Sequence, residues 1–241
     1  MQDAVIDIGL ARLALAAVPV AVTLAVFAAW SLHTAHALYA LGRMLVQLLL
    51  VGYVLAYIFA ADSGWLILGV VLFMALAASW IALNTVPGAR RRLIGRSLLA
   101  VTAGGGITLL VATQAVLAIE PWYRPRYLIP LAGMTFANAM TAVSIAAERA
   151  QAELGHGTDW LEARVAAYHA AMIPVVNSLL AVGLVSLPGM MTGQILSGVS
   201  PLLAARYQIL IMCVIFAAAG LSSALFLATS RTVFTAGDAS S

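Results

Sequence analysis

The sequence predicts an all-α, polytopic membrane protein with about seven transmembrane helices. Composition is the first reason: 63% of residues are hydrophobic and only 9% are charged. Mean hydropathy, at +1.04, is the second. The third is that the apolar residues fall into runs close to the ~20 residues a bilayer core requires. A soluble domain is about half apolar and a quarter charged, so a 241-residue chain with so few charges cannot cover a water-facing surface. In lipid every backbone polar group must be bonded internally, and helices do this within one segment. One helical membrane domain over residues 1–241 follows.

The expected spans, in order, are Leu13–Leu32, Leu41–Ala61, Trp65–Leu83, Ser97–Ile119, Leu128–Ala147, Ala170–Leu187 and Gln208–Ala228. The first starts after Arg12 and is too long for the apolar core of a cleavable signal. Gly104-Gly105-Gly106 lies inside the fourth and should loosen or kink it. Glu148 to His169 is the longest polar stretch, and Ala163, Ala166, Ala167 and Ala170 give it helical propensity, so it reads as an extramembrane helix or helical pair. Pro188 to Pro201 is too broken for a full span and too apolar for an ordinary loop. A re-entrant turn or short helices buried against the bundle fit it, because irregular backbone at depth must be covered by protein or line a cavity. Thr235 to Ser241 is expected to be disordered.

The net charge of +3 comes from arginine, since the chain has no lysine. Arg90, Arg91, Arg92 and Arg96 form the densest cluster, and placing them in the cytoplasm also places Arg43, Arg149, Arg164 and Arg231 there. Arg12, Arg124, Arg126 and Arg206 then fall outside, the sense of the positive-inside rule. The N-terminus is outside and the C-terminus cytoplasmic. Trp65, Trp122 and Tyr123 sit near the outer interface, where amphipathic rings are favoured. No block of interleaved basic and aromatic residues supports nucleic-acid binding.

Without lysine no Walker A loop can cradle phosphate in the usual way, so ATP hydrolysis by that route is excluded. Cys213 is the sole cysteine, which forbids an intrachain disulfide. His33 and His36 at i, i+3 could ligate a metal, though an interfacial loop is the simpler reading. Asp3 and Asp7 at i, i+4 read as a solvated terminus. No catalytic set has a local signature. Polar groups inside spans carry more weight: Arg43 and Gln47 share one helix face, Gln114, Asn138 and Asn177 lie in the fourth to sixth spans, and Gln208 opens the seventh. In lipid such groups face a bundle interior or a water-filled path, or bond between helices. Within the broken segment, Met190 and Met191 offer soft thioethers beside Thr192 and Gln194, with packing as the alternative role.

The run from Gly183 to Gly198, Gly-Leu-Val-Ser-Leu-Pro-Gly-Met-Met-Thr-Gly-Gln-Ile-Leu-Ser-Gly, with Ser200-Pro201 and Tyr207-Gln208, resembles the signature of the FetB family. These are membrane permeases of ABC-type metal exporters, related to plant aluminium-tolerance proteins. Arg43-Met-Leu-Val-Gln-Leu-Leu-Leu-Val-Gly-Tyr53 resembles the family's second-span motif. Pro121-Trp-Tyr, Pro130-Leu-Ala-Gly-Met134 and Asn138-Ala-Met140 resemble its central motif. The resemblance implies an iron or related metal exporter in the bacterial inner membrane, a permease homodimer with two copies of a separate ATPase. The chain itself then binds no cofactor, and ATP acts through the partner. Ala152-Glu153-Leu154-Gly155 is similar to the cytoplasmic motif by which ABC permeases dock their ATPase, here without an intact Glu-Ala-Ala and followed by His156-Gly157. Residues 148–169 become a coupling segment, with Glu153, Gly155 and Arg164 as coupling residues. Arg43, Gln47, Asn138, Met190, Met191, Thr192 and Gln194 become candidates for the transport path, Met190 and Met191 for metal ligands, and Glu120 for a release-side carboxylate. A small integral-membrane enzyme or a stand-alone channel is the alternative function. The substrate stays open between iron, another metal and a chelate.

Overall fold

A computed structural model describes residues 9–60 and 63–237, so Asp3, Asp7, Asp62 and residues 238–241 lie outside it. The chain divides into two compact units, Met1–Ala61 and Asp62–Ser241.

The first unit holds α1 (Leu10–Ala14), α2 (Ala17–Ala29) and α3 (Thr34–Ala60). Pro19 falls in the first turn of α2, where its missing N–H removes no helical bond. Between α2 and α3 the chain turns at Ser31, with φ 55°, and Leu32 N–H donates to Phe27 O at 2.8 Å. Arg43 and Gln47 stand one helical turn apart on α3.

The second unit begins with α4 (Gly64–Ala82), followed by a 3₁₀ turn at Leu83–Thr85 and α5 (Arg90–Ala100). A π turn at Val101–Gly105, α6 (Gly106–Leu110) and a second π turn at Val111–Val116 continue α5 without a break in the span Arg90–Val116. The expected kink at the triple glycine thus takes the form of a π turn, one extra residue absorbed into the ladder. Gly104 and Gly105 are buried and let this segment approach α10 and α7 closely. The remaining helices are α7 (Pro125–Gly155), α8 (Trp160–Ala181), α9 (Gly189–Leu196) and α10 (Pro201–Gly237). Pro125 opens α7, where a proline's fixed φ is already helical.

Small residues build the interior. On α7, Ala132, Ala139, Ala142, Ala146 and Ala150 are buried, and Ala163, Ala167 and Ala171 repeat every fourth residue on α8. Lipid tails are as apolar as leucine, so membrane helices gain by close backbone approach, which alanine allows. α10 packs on α7, α8 and α5, and α7 packs on α4 and α8. Trp160 stacks on Phe234 at 5.9 Å, which ties the start of α8 to the end of α10.

Among the described residues, six helices are long and apolar enough to cross a membrane, against about seven expected. The difference is α8. Its second half is the expected sixth span, but the helix starts at Trp160 and carries Glu162, Arg164 and His169 in its first half. The polar segment 148–169 is therefore no separate helix. Glu148 to Gly155 is the end of α7, and Trp160 to His169 is the start of α8. Thr235–Gly237 continue α10, so the ordered chain reaches further than composition predicts.

Candidate functional site

Two features of the second unit hold most of the predicted site residues, the segment around α9 and the polar hairpin between α7 and α8; Arg43 and Gln47 lie on α3 of the first unit, and Glu120 lies in the turn before α7.

Glycine and proline shape the first feature. Gly183, at φ +82°, closes the turn after α8, and its N–H donates to Ser186 O at 3.0 Å. Pro188 sets the start of α9, and Gly198, at φ +92°, ends it while donating to Ile195 O. Eight residues of helix span only about 12 Å, too little to cross a bilayer. Pro188–Pro201 therefore holds a short helix as expected, packed on α10, but none of the residues of α9 is buried.

Behind α9 lies a cavity of about 300 Å³. Its lining includes Met134 of α7, Ser178 of α8, Ser186, Met190 of α9, and Gln208 and Met212 of α10. Of the residues singled out in the broken segment, Met190 reaches this cavity and Met191, Thr192 and Gln194 do not line it. Thr192 Oγ1 donates instead to Pro188 O at 3.2 Å. Gln194 Oε1 is buried without a partner. Asn138 is engaged locally, its Nδ2 donating to Met134 O at 2.8 Å. Gln208 is buried, and its Oε1 has no hydrogen-bond partner. Sequence reasoning named Gln208 as the polar opening of a span but missed Met134 and Met212 as partners of Met190. No spacing rule links residues 134, 190 and 212; only the packing of three helices does.

A second, polar pocket of about 140 Å³ holds Glu120 with Arg124, Tyr127 and Tyr207. Gln114 lines a third cavity, between α4, α6 and α7, whose walls are otherwise almost wholly apolar.

At the hairpin, α7 ends on a turn in which Gly157, at φ +82°, donates to Leu154 O at 2.9 Å and Thr158 N–H donates to Glu153 O. Asp159 then caps α8, its Oδ1 accepting from Leu161 N–H at 2.7 Å. Glu153 pairs with Arg149 one turn back and accepts from Thr158 Oγ1 at 3.2 Å. The turn itself uses Gly157. Gly155 is exposed, and a Cβ added there would meet nothing within 4 Å. Arg164 lies on α8 beside a groove with Tyr168, His169 and Met172. His33 precedes α3 and His36 lies in its first turn, and no group of three or more His, Cys, Asp or Glu that could hold a metal occurs among the described residues.

Six bilayer-length apolar helices among the described residues define an integral membrane protein. The chain belongs to the family described as uncharacterised protein family UPF0014, whose profile matches residues 10–167 and 160–234. It is 38% identical over 216 residues to the UPF0014 membrane protein slr1647 of Synechocystis, covering 83% of this chain and 82% of that one. It is 37% identical over 201 residues to the Probable iron export permease protein FetB of Escherichia coli, covering 77% and 76%. To the Protein ALUMINUM SENSITIVE 3 of Arabidopsis thaliana it is 34% identical over 231 residues, covering 86% and 81%. No solved structure matches the chain.

Proposed function

We propose that this chain is the permease subunit of an ABC-type transporter that exports iron or a related metal, energised by a separate ATPase subunit. The working unit is a homodimer with two ATPase copies, in the plasma membrane, with the polar hairpin between α7 and α8 facing the cytoplasm. ATP is the partner's ligand, and the chain itself catalyses no reaction.

The observation that carries this reading is Gly155. It sits in the last helical turn of α7, exposed, with open space where a side chain would go. Glycine in the middle of a helix costs about 0.5–1 kcal/mol relative to alanine, and no described residue stands close enough to require glycine at this last turn. A surface that must pass close against another protein supplies the missing reason. Similarity to the Probable iron export permease protein FetB supports the same reading.

The test is co-purification. The chain expressed with a partner ATPase should retain it through affinity purification and stimulate its ATP hydrolysis. ATP turnover by the purified chain alone would overturn the proposal.

A further inference from the structure

Three helices each contribute one methionine to the lining of the cavity behind α9: Met134, Met190 and Met212. Gln208 lines the same cavity, is 6% exposed, and leaves its Oε1 without a hydrogen-bond partner. A buried acceptor with no donor is costly, and a water or a cation in the cavity would complete it. Ser178 and Ser186 also line it, and no Asp, Glu, His or Cys is among the lining residues described.

This donor set is soft and neutral. Thioethers select Cu(I)-like ions over hard, oxygen-seeking ones. Neutral ligands also offset little charge in a low-dielectric interior, so burying one positive charge is far less unfavourable than burying two or three. We propose that this cavity binds a soft monovalent metal ion of the Cu(I) and Ag(I) class through the sulfurs of Met134, Met190 and Met212, with Gln208 Oε1 as a further donor. As a substrate site it rests on the permease reading and narrows the exported metal to this class in place of iron; as a binding site it does not depend on that reading. Met191 lies outside the donor set, although it is adjacent to Met190 in sequence.

Silver binding to the purified full-length chain in detergent, read by competition with a chelator of known affinity, tests this. A Cys213→Ser background removes the exposed thiol, which would bind silver on its own. Met→Leu nearly conserves volume, so the fold should survive, and thermal unfolding verifies that it does. Each of Met134→Leu, Met190→Leu and Met212→Leu should weaken silver binding about tenfold, or about 1.4 kcal/mol. Met191→Leu should leave it unchanged. Silver–sulfur scattering in X-ray absorption should fall with the triple substitution, and a hundredfold excess of Fe(II) should not displace the silver, as hard–soft selectivity requires, at roughly two decades of preference. Parental affinity in the triple variant, or displacement by equimolar Fe(II), overturns the assignment. Because binding is read without an ATPase, its failure leaves the permease reading standing, whereas intact binding with no metal efflux from cells overturns the permease reading alone.

Discussion

Gly104 and Ser222 meet backbone to backbone. A Cβ built on Gly104 would stand 2.5 Å from Ser222 Oγ, 2.7 Å from Ser222 N and 2.9 Å from Ser222 Cα. The π turn and α10 are thus in contact at a distance that only glycine permits. Gly104→Ala should destabilise the protein by about 1–3 kcal/mol, the usual range for overpacking a close-packed interior, although alanine is the better helix former. Gly104→Val should cost more. Adding Ser222→Gly to Gly104→Ala should recover only part of the loss, because the backbone N and Cα of residue 222 remain. Thermal unfolding in detergent reads all three, and full recovery in the double variant would show that the hydroxyl alone sets the limit.

Gly155 should behave in the opposite way. Since a Cβ there meets nothing, Gly155→Ala should leave the fold intact or stabilise it by about 0.5–1 kcal/mol. Gly155→Trp should insert and fold equally well yet lose the stimulated ATPase activity of the co-purified complex. Coupling at the parental level with tryptophan at this position would place the ATPase contact elsewhere.

Arg90 should resist replacement by lysine. Its guanidinium lies over the Trp80 ring at 3.7 Å, and its Nη2 donates to Trp80 O at 2.8 Å. Lysine keeps the charge but not the planar fork that does both at once. A double-mutant cycle with Arg90→Lys and Trp80→Leu should return a coupling of about 0.5–2 kcal/mol. A coupling near zero would mean that the stacked geometry contributes nothing.

Asp159→Ala removes the only side-chain N-cap among the described helices whose caps are given, and should cost about 1 kcal/mol. Asp159→Asn keeps an accepting oxygen for Leu161 N–H and should recover most of it. Hydrogen exchange should show the loss concentrated in the first turns of α8, since the stacked Trp160 and Phe234 hold the helix beyond them.

Spans were legible because hydrocarbon thickness imposes a length on every apolar run, and Trp65–Leu83 against the observed Gly64–Thr85 shows how closely. The short helix α9 was legible because Pro188, Gly198 and Pro201 punctuate it. The continuity of α7 into the hairpin was not, since Glu148 and Arg149 end the apolar run but nothing breaks the helix until Gly157. Nor was the cavity: Met190 was read beside Met191, its neighbour in the chain, while its partners in space are 56 residues before it and 22 after. The triple glycine was readable as an irregularity, but its close partner Ser222 lies over a hundred residues away.

The length of α7 has a mechanical consequence. Its 31 residues make a rod of about 46 Å, roughly 16 Å longer than a bilayer's hydrocarbon core. Past Pro130 no proline interrupts it, so a sideways force at the Gly155 end is felt along the whole remaining shaft without being dissipated by bending. Tilting such a rod by about 5° about its middle would carry its end some 2 Å. Asn138 sits close to that middle and would turn almost in place, while Met134, about 9 Å from it, would shift sideways by about 0.8 Å. Met134, on the cavity wall, would then change its bearing toward Met190 and Met212 rather than its depth, altering the grip on whatever occupies the cavity without moving the occupant itself.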